Sequence, residues 1–204
     1  QVGLEIDRQI INELYAGGAN IKRRWWSRKV NTFLNQTDGS IAAGSETTYI
    51  TKHEWYQQLL EHVTAASNDI YRRTLGGQAN FLICSPEASV ILESISGFAA
   101  VVPQAYGDDV QYGAGVIPVG NISKRWIVYV DAYGYKQHIL VGRKGNNWFD
   151  TGYVYAPYVM AQLTPLVYTP DDFVPTRAIL TRYATKMTKP EYFQVITVRH
   201  IDSY

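Results

Sequence analysis

The chain has one cysteine, Cys84, in 204 residues, which excludes an internal disulfide and gives no pointer to an oxidising compartment. It has no apolar run approaching the ~18 residues that a bilayer-spanning helix needs, and no charged-then-apolar leader opens it, so it reads as soluble with no membrane partner. Nor is there an excess of one charge. Nineteen Lys and Arg stand against 18 Asp and Glu, a net charge of +1, so nothing global attracts a polyanion or an anionic surface. Phosphate-binding motifs are missing as well. Tyr112-Gly113-Ala114-Gly115 and Gly120 are not followed by the Lys-Ser/Thr of a P-loop, and no G-x-G-x-x-G is present, so these glycines read as loop punctuation.

Hydrophobic residues make up 46% of the chain and charged ones 18%, enough for one or two compact domains with a real core. Five Trp and 16 Tyr are a heavy aromatic load, suited equally to a large core and to self-association.

Val2, Ile6, Ile10 and Leu14 repeat every four residues, which predicts an amphipathic helix ending at Gly17-Gly18. No capping residue precedes the stripe, so the helix reads as cut at Gln1. Asn35 to Ser45 is a polar loop. Thr51 and Glu54 have capping-box spacing and start a second helix, which carries Trp55, Leu59, Val63, Ala66 and Ile70 on one face and stops at Leu75-Gly76-Gly77. Phe81 to Cys84 reads as a buried strand. Ser85-Pro86-Glu87 then caps a third helix that ends at Gly97. Arg125 to Asp131 and Lys136 to Val141 read as two strands of a hairpin, turning at residues 132–135. Toward the end, Pro157, Pro165, Pro170 and Pro175 recur among aromatics and forbid a long helix, so this stretch is expected to be extended. Arg177 to Thr188 and Tyr192 to His200 are both β-rich. Pro190 interrupts them, and the expectation is an antiparallel hairpin packed with the first helix, outside the main sheet.

Residues able to carry chemistry are scattered. Cys84 precedes a helix N-terminus, where a thiol could be activated as in a thiol-dependent hydrolase. No His or acid is placed to serve as its base and the nucleophile-elbow glycines are absent, so a small buried hydrophobe is the preferred reading. Lys22 to Lys29 places five cations around Trp25 and Trp26. This suits a single-stranded nucleic-acid module, or else a solvated turn that tucks its indoles into the core or against a neighbour. The second reading is preferred, because no other basic aromatic segment supports the first. His53 and His62 do not share a helical face at metal-ligand spacing. Asp108-Asp109 and Asp171-Asp172 lack the spacing of a calcium loop. His138 and His200 fall in different elements from the rest. No catalytic, cofactor-binding or metal residues are therefore assigned, and no cofactor is expected.

One pattern carries a resemblance. Ala156-Pro157-Tyr158-Val159, Leu163-Thr164-Pro165, Pro170, Phe173, Thr181-Arg182-Tyr183-Ala184, Pro190 and Tyr192-Phe193 together resemble the C-terminal region of the major head proteins of T4-like tailed phages. The resemblance implies an α+β subunit of the HK97 capsid type. Residues 1–50 would be the end of the spine helix and a connecting loop of the P domain. Residues 51–174 would be the A domain, a central mixed sheet flanked by helices, and 175–204 would be antiparallel strands of the P domain. The N-terminal arm and E-loop would precede Gln1. The implied role is structural: a virion protein, made in the host cytoplasm, that assembles into hexamers of a closed head shell, with a head-vertex pentamer protein as the close alternative. Implied partners are copies of itself, vertex, portal, scaffold and decoration proteins, and packaged DNA non-specifically. Without the arm and E-loop, the chain alone is expected to be a monomer or weak oligomer.

Overall fold

Apolar residues at helical spacing form the two long helices. α1 (Val2–Ala16) buries Ile11, Leu14 and Tyr15, and α2 (Lys52–Thr74) buries Tyr56, Leu59, Val63, Ala66 and Ile70 along one stripe. α3 (Pro86–Glu93) begins as its sequence dictates. Ser85 is extended and its hydroxyl accepts the Ala88 N–H at 3.3 Å, while Pro86 fills the first turn, where an N–H has no intrahelical partner anyway. The computed structural model describes residues 2–16, 21–28, 52–100, 116–147, 149–168 and 174–201. The expectations placed on Gly17-Gly18, residues 35–45, Thr51, the paired aspartates and residues 112–115 lie outside them.

The strands, in chain order, are β1 (Lys22–Ser27), β2 (Phe81–Cys84), β3 (Phe98–Ala100), β4 (Val116–Ile122), β5 (Trp126–Asp131), β6 (His138–Gly142), β7 (Tyr153–Leu163), β8 (Val167–Tyr168), β9 (Pro175–Thr176), β10 (Ile179–Met187) and β11 (Phe193–Arg199). Seven form one mixed sheet in the order β1-β11-β6-β2-β5-β4-β3, with β1/β11 and β2/β5 parallel and the other pairs antiparallel. α2 and α3 cover one face and enclose Leu82, Cys84, Val128, Ile139, Val141, Ile196 and Val198. α1 packs on the other, over Ile83, Leu140, Tyr192, Phe193 and Val195. The fold class is α+β, as expected.

Two expected pairings are corrected. Ile179 and Val195 lie in different sheets: β10 pairs with β7, and β11 joins the large sheet between β1 and β6. Pro190 does interrupt the strands, within a 3-10 turn Pro190–Tyr192, but no hairpin forms across it. The reason is burial. Phe193 to Ile196 are all buried, so β11 needs cover on both faces, whereas β10 carries Arg182 and Lys186 and is largely exposed. The 125–131 and 136–141 strands are likewise not a hairpin, because β2 lies between β6 and β5 and pairs with both. The connecting turn is built on Asp131, whose Oδ1 accepts the Tyr133 N–H at 3.0 Å and whose carbonyl accepts the Gly134 N–H at 3.2 Å.

A polar network around one buried side chain ties the β1 edge to α2. Gln194 is fully buried. Its Nε2 donates to Asp69 Oδ2 at 2.5 Å, its Oε1 accepts from Arg24 Nε at 3.4 Å, and Lys22 Nζ lies 3.0 Å from the same Asp69 oxygen. Burial pushes the Asp69 carboxyl up, but hydrogen bonds from Lys22 and Gln194, with the charges of Lys22 and Arg73, outweigh it and hold the group below its ordinary value of 3.8. A carboxyl depressed by folding stabilises the fold above its unfolded pKa, and that contribution is lost as pH falls through the folded one. Urea midpoints of parent and Asp69→Asn should therefore differ at neutral pH and converge below 3.8. Gly142 gives a second check, since a Cβ there would stand 2.3 Å from the Phe81 ring. Gly142→Ala should cost about 1–3 kcal/mol in chemical denaturation, as an overpacked core does.

Candidate assembly surface

β7 and β10 form a two-stranded antiparallel arm that continues outward through β8 and β9. Between the two pairs the Thr164 N–H donates to the Ala178 carbonyl at 2.9 Å, and the Ala178 N–H to Thr164 Oγ1 at 2.8 Å. At about 3.3 Å per residue, β7 alone is some 35 Å long. Leu180 faces Gln162, Arg182 faces Val159 and Tyr183 faces Pro157, so β7 carries one extra residue at each of two irregularities while β10 runs straight. The inner half of the arm rests on α1. Tyr153 donates to Glu13, Tyr183 donates to Gln9, and Thr185 donates to Glu13 at 3.3 Å. Burial, and then the hydrogen bond to Glu13, push the Tyr153 phenol up to about 12. Beyond α1 the arm is exposed: Tyr158 is 84% accessible, Met160 76%, Leu163 65% and Ile179 58%. Large apolar side chains set so openly along one element mark an interaction surface. The sequence held a signal for this arm in Pro170-Asp171-Asp172, a turn-forming composition between two β-rich runs.

The basic aromatic segment is a strand, which corrects the expected turn. Trp26 is buried and stacks on Trp55 at 6.1 Å, as the core reading expected, while Trp25 is half-exposed beneath the Arg199 guanidinium. The four cations among the described residues make contacts within the protein, and Lys29 lies outside those residues. Lys22 pairs with Asp69, Arg23 donates to the carbonyls of Tyr15 and Ala16, Arg24 donates to Gln194, and Arg28 donates to the Ile201 carbonyl at 2.7 Å. A base could not stack on Trp26 without dismantling the core.

Among the described residues, Cys84 and the histidines are not gathered into one site, and the paired aspartates lie outside those residues. Cys84 is buried, and its thiol donates to the Tyr129 carbonyl at 3.6 Å. Burial, with a smaller push from Glu93, raises the thiol to about 12. His53 is exposed beside Gln57, His138 is packed against Tyr15 and Tyr135, and His200 Nδ1 lies 3.1 Å from Ser27 Oγ. Among the described residues no three His, Cys, Asp or Glu side chains converge as metal ligands would.

A family model described as "Major capsid protein Gp23" matches residues 1–202. The chain belongs to the Gp23 major capsid protein family. Relatives within it include the major capsid protein of Vibrio phage KVP40, 30% identical over 92% of this chain and 36% of that protein, and that of Enterobacteria phage T4, 33% identical over 64% of this chain and 25% of that protein. The chain thus spans between a quarter and just over a third of these relatives. Among solved structures, the virus-like particle from Pyrococcus furiosus aligns with a TM-score of 0.53 at 10% identity, covering 94% of this chain and 63% of that one. That likeness concerns the fold alone, and it agrees with the capsid-type fold that the C-terminal pattern implied. In this Gp23 family member the thiol should behave as a core side chain. Folded protein at pH 8 should react with a thiol reagent at least about 100-fold more slowly than denatured protein, checked by stopped-flow absorbance.

Proposed function

We propose that the chain is the body and one arm of a shell-forming capsid subunit, acting through repeated contacts between copies rather than through catalysis. The observation that carries this reading is the exposed apolar outer half of the β7/β10 arm in a member of a major capsid protein family. Many copies of a modest interface hold a closed shell that no single contact would hold. In this reading the seven-stranded sheet with α2 and α3 corresponds to the A domain, and α1 with the β7/β10 arm to the P domain. Relative to the expected bounds, β1 then moves from the 1–50 segment and β11 from the 175–204 segment into the A domain, and β7 moves from the 51–174 segment into the P domain. Hexamers, location in the virion after synthesis in the host cytoplasm, and vertex, portal, scaffold, decoration and non-specific DNA partners follow from the family resemblance. The matched relatives are described as major capsid proteins, which favours that role over the head-vertex one.

The test is assembly. Met160→Asp with Leu163→Asp, in the full-length protein, should abolish shells seen by electron microscopy while circular dichroism stays as in the parent. Shells at the parent's yield would overturn the arm's role. The 204-residue chain alone should scatter light as a monomer or weak oligomer, because a stable specific interface buries on the order of 1,200 Å². A tight hexamer at micromolar concentration would contradict that expectation.

A further inference from the structure

The arm leaves the sheet at one place, and a single carboxylate spans it. Asp150 precedes the strand that enters the arm. Its Oδ2 accepts from Arg143 Nη2 at 2.7 Å, and Arg143 directly follows β6 of the sheet. Its Oδ1 accepts from the hydroxyl of Tyr192, which lies just past the strand that leaves the arm. Entry, exit and sheet therefore meet at two oxygen atoms. The Tyr192 ring is in turn held by two cations, the Arg143 guanidinium 5.4 Å and the Lys189 ammonium 5.2 Å from its centroid. Backbone bonds close the same junction: the N–H groups of Thr188 and Lys189 both donate to the Gly152 carbonyl, at 2.9 and 3.1 Å, and the Arg143 N–H donates to the Tyr192 carbonyl at 3.0 Å.

The arm's other support is weaker. Glu13 is exposed, so its hydrogen bonds to Tyr153 and Thr185 compete with water. The Arg143 side chain is only 11% accessible and that of Asp150 30%, so their ion pair is shielded, and removing the carboxylate leaves a mostly buried guanidinium without its counter-charge. Tyr192 and Phe193 belong to one sheet core, and Tyr153 and Met187 at the arm's roots pack against it, whereas Arg143, Asp150 and Lys189 lie outside both cores, so removing the Asp150 carboxylate need not unfold the sheet.

We propose that Asp150 is a latch that fixes the direction in which the β7/β10 arm leaves the sheet, and that without it the arm swings about its roots while the sheet stays folded. One consequence rests on the shell-forming reading. A swinging arm presents its apolar outer half over many directions, and ordering it on contact opposes association.

The test uses the full chain with spin labels on cysteines introduced by Glu61→Cys on α2 and Ala161→Cys on β7, both exposed positions, while buried Cys84 stays unlabelled. The parent should give one narrow distance distribution. Asp150→Asn should about double its width and speed hydrogen exchange at the Thr188 and Lys189 amides, leaving β2 and β5 protected. Glu13→Gln should leave the distribution narrow. If Asp150→Asn does not fold, Tyr192→Phe removes one of the two bonds and should give an intermediate width. A distribution in Asp150→Asn, or in its Tyr192→Phe substitute, that superimposes on the parent's would overturn the latch. So would equal broadening in Glu13→Gln, or loss of protection throughout β2 and β5. A broadened arm in subunits that still build shells at the parent's yield would overturn the arm's docking role and leave the latch standing.

Discussion

Three strands, β2, β6 and β11, bury side chains on both faces, and a backbone enclosed in that way must find hydrogen-bond partners along both of its edges. This requirement arranges the rest of the sheet. β2 takes β5 on one side and β6 on the other, and β11 takes β6 and β1, so the least polar segments become the centre regardless of their order in the chain. A polar strand is left for one margin. β1, with three cations in six residues, becomes an edge and hands those cations to Asp69, Gln194 and the end of α1.

The same requirement explains how far the sequence could be read. Helices are local, and the helix α1 with its buried Leu14, the stripe of α2, the Ser85-Pro86 start of α3 and the buried Phe81 to Cys84 strand were legible, since each rests on spacing within a few residues. Partners were not. Neighbouring β-rich runs were paired by proximity, 125–131 with 136–141 and 177–188 with 192–200, yet in both cases a segment remote in sequence has the stronger claim. The burial of Phe193 to Ile196 was the available clue, because a run without polar alternation suits a central strand and not one half of an exposed ribbon. The burial of Cys84 was readable from the apolar run Phe81 to Cys84. The openness of the arm was not, since it appears only once the outer residues of β7 and β10 are seen to be exposed.

Body and arm are stabilised by different means. The body has two apolar cores on either side of the sheet, closed by Trp26, Trp126 and Ile201 on one face and Tyr15 and Phe193 on the other. A two-stranded ribbon has no core of its own and is marginal in water, so the arm depends on what flanks its roots. It borrows stability from α1 and from the Arg143, Asp150 and Tyr192 junction. That division allows the arm to be adjusted by substitution without endangering the fold.

The irregularities of β7 also limit what the arm can do to other copies. Pro157 and the two extra residues spoil the outer edge of β7 as a template, while β10 is regular along its length. A ribbon with two regular edges could recruit strands from both sides and propagate into a fibril. With one edge spoiled, two arms that met along β10 would each present only an uneven β7 to the solution, and accretion would stop at a pair.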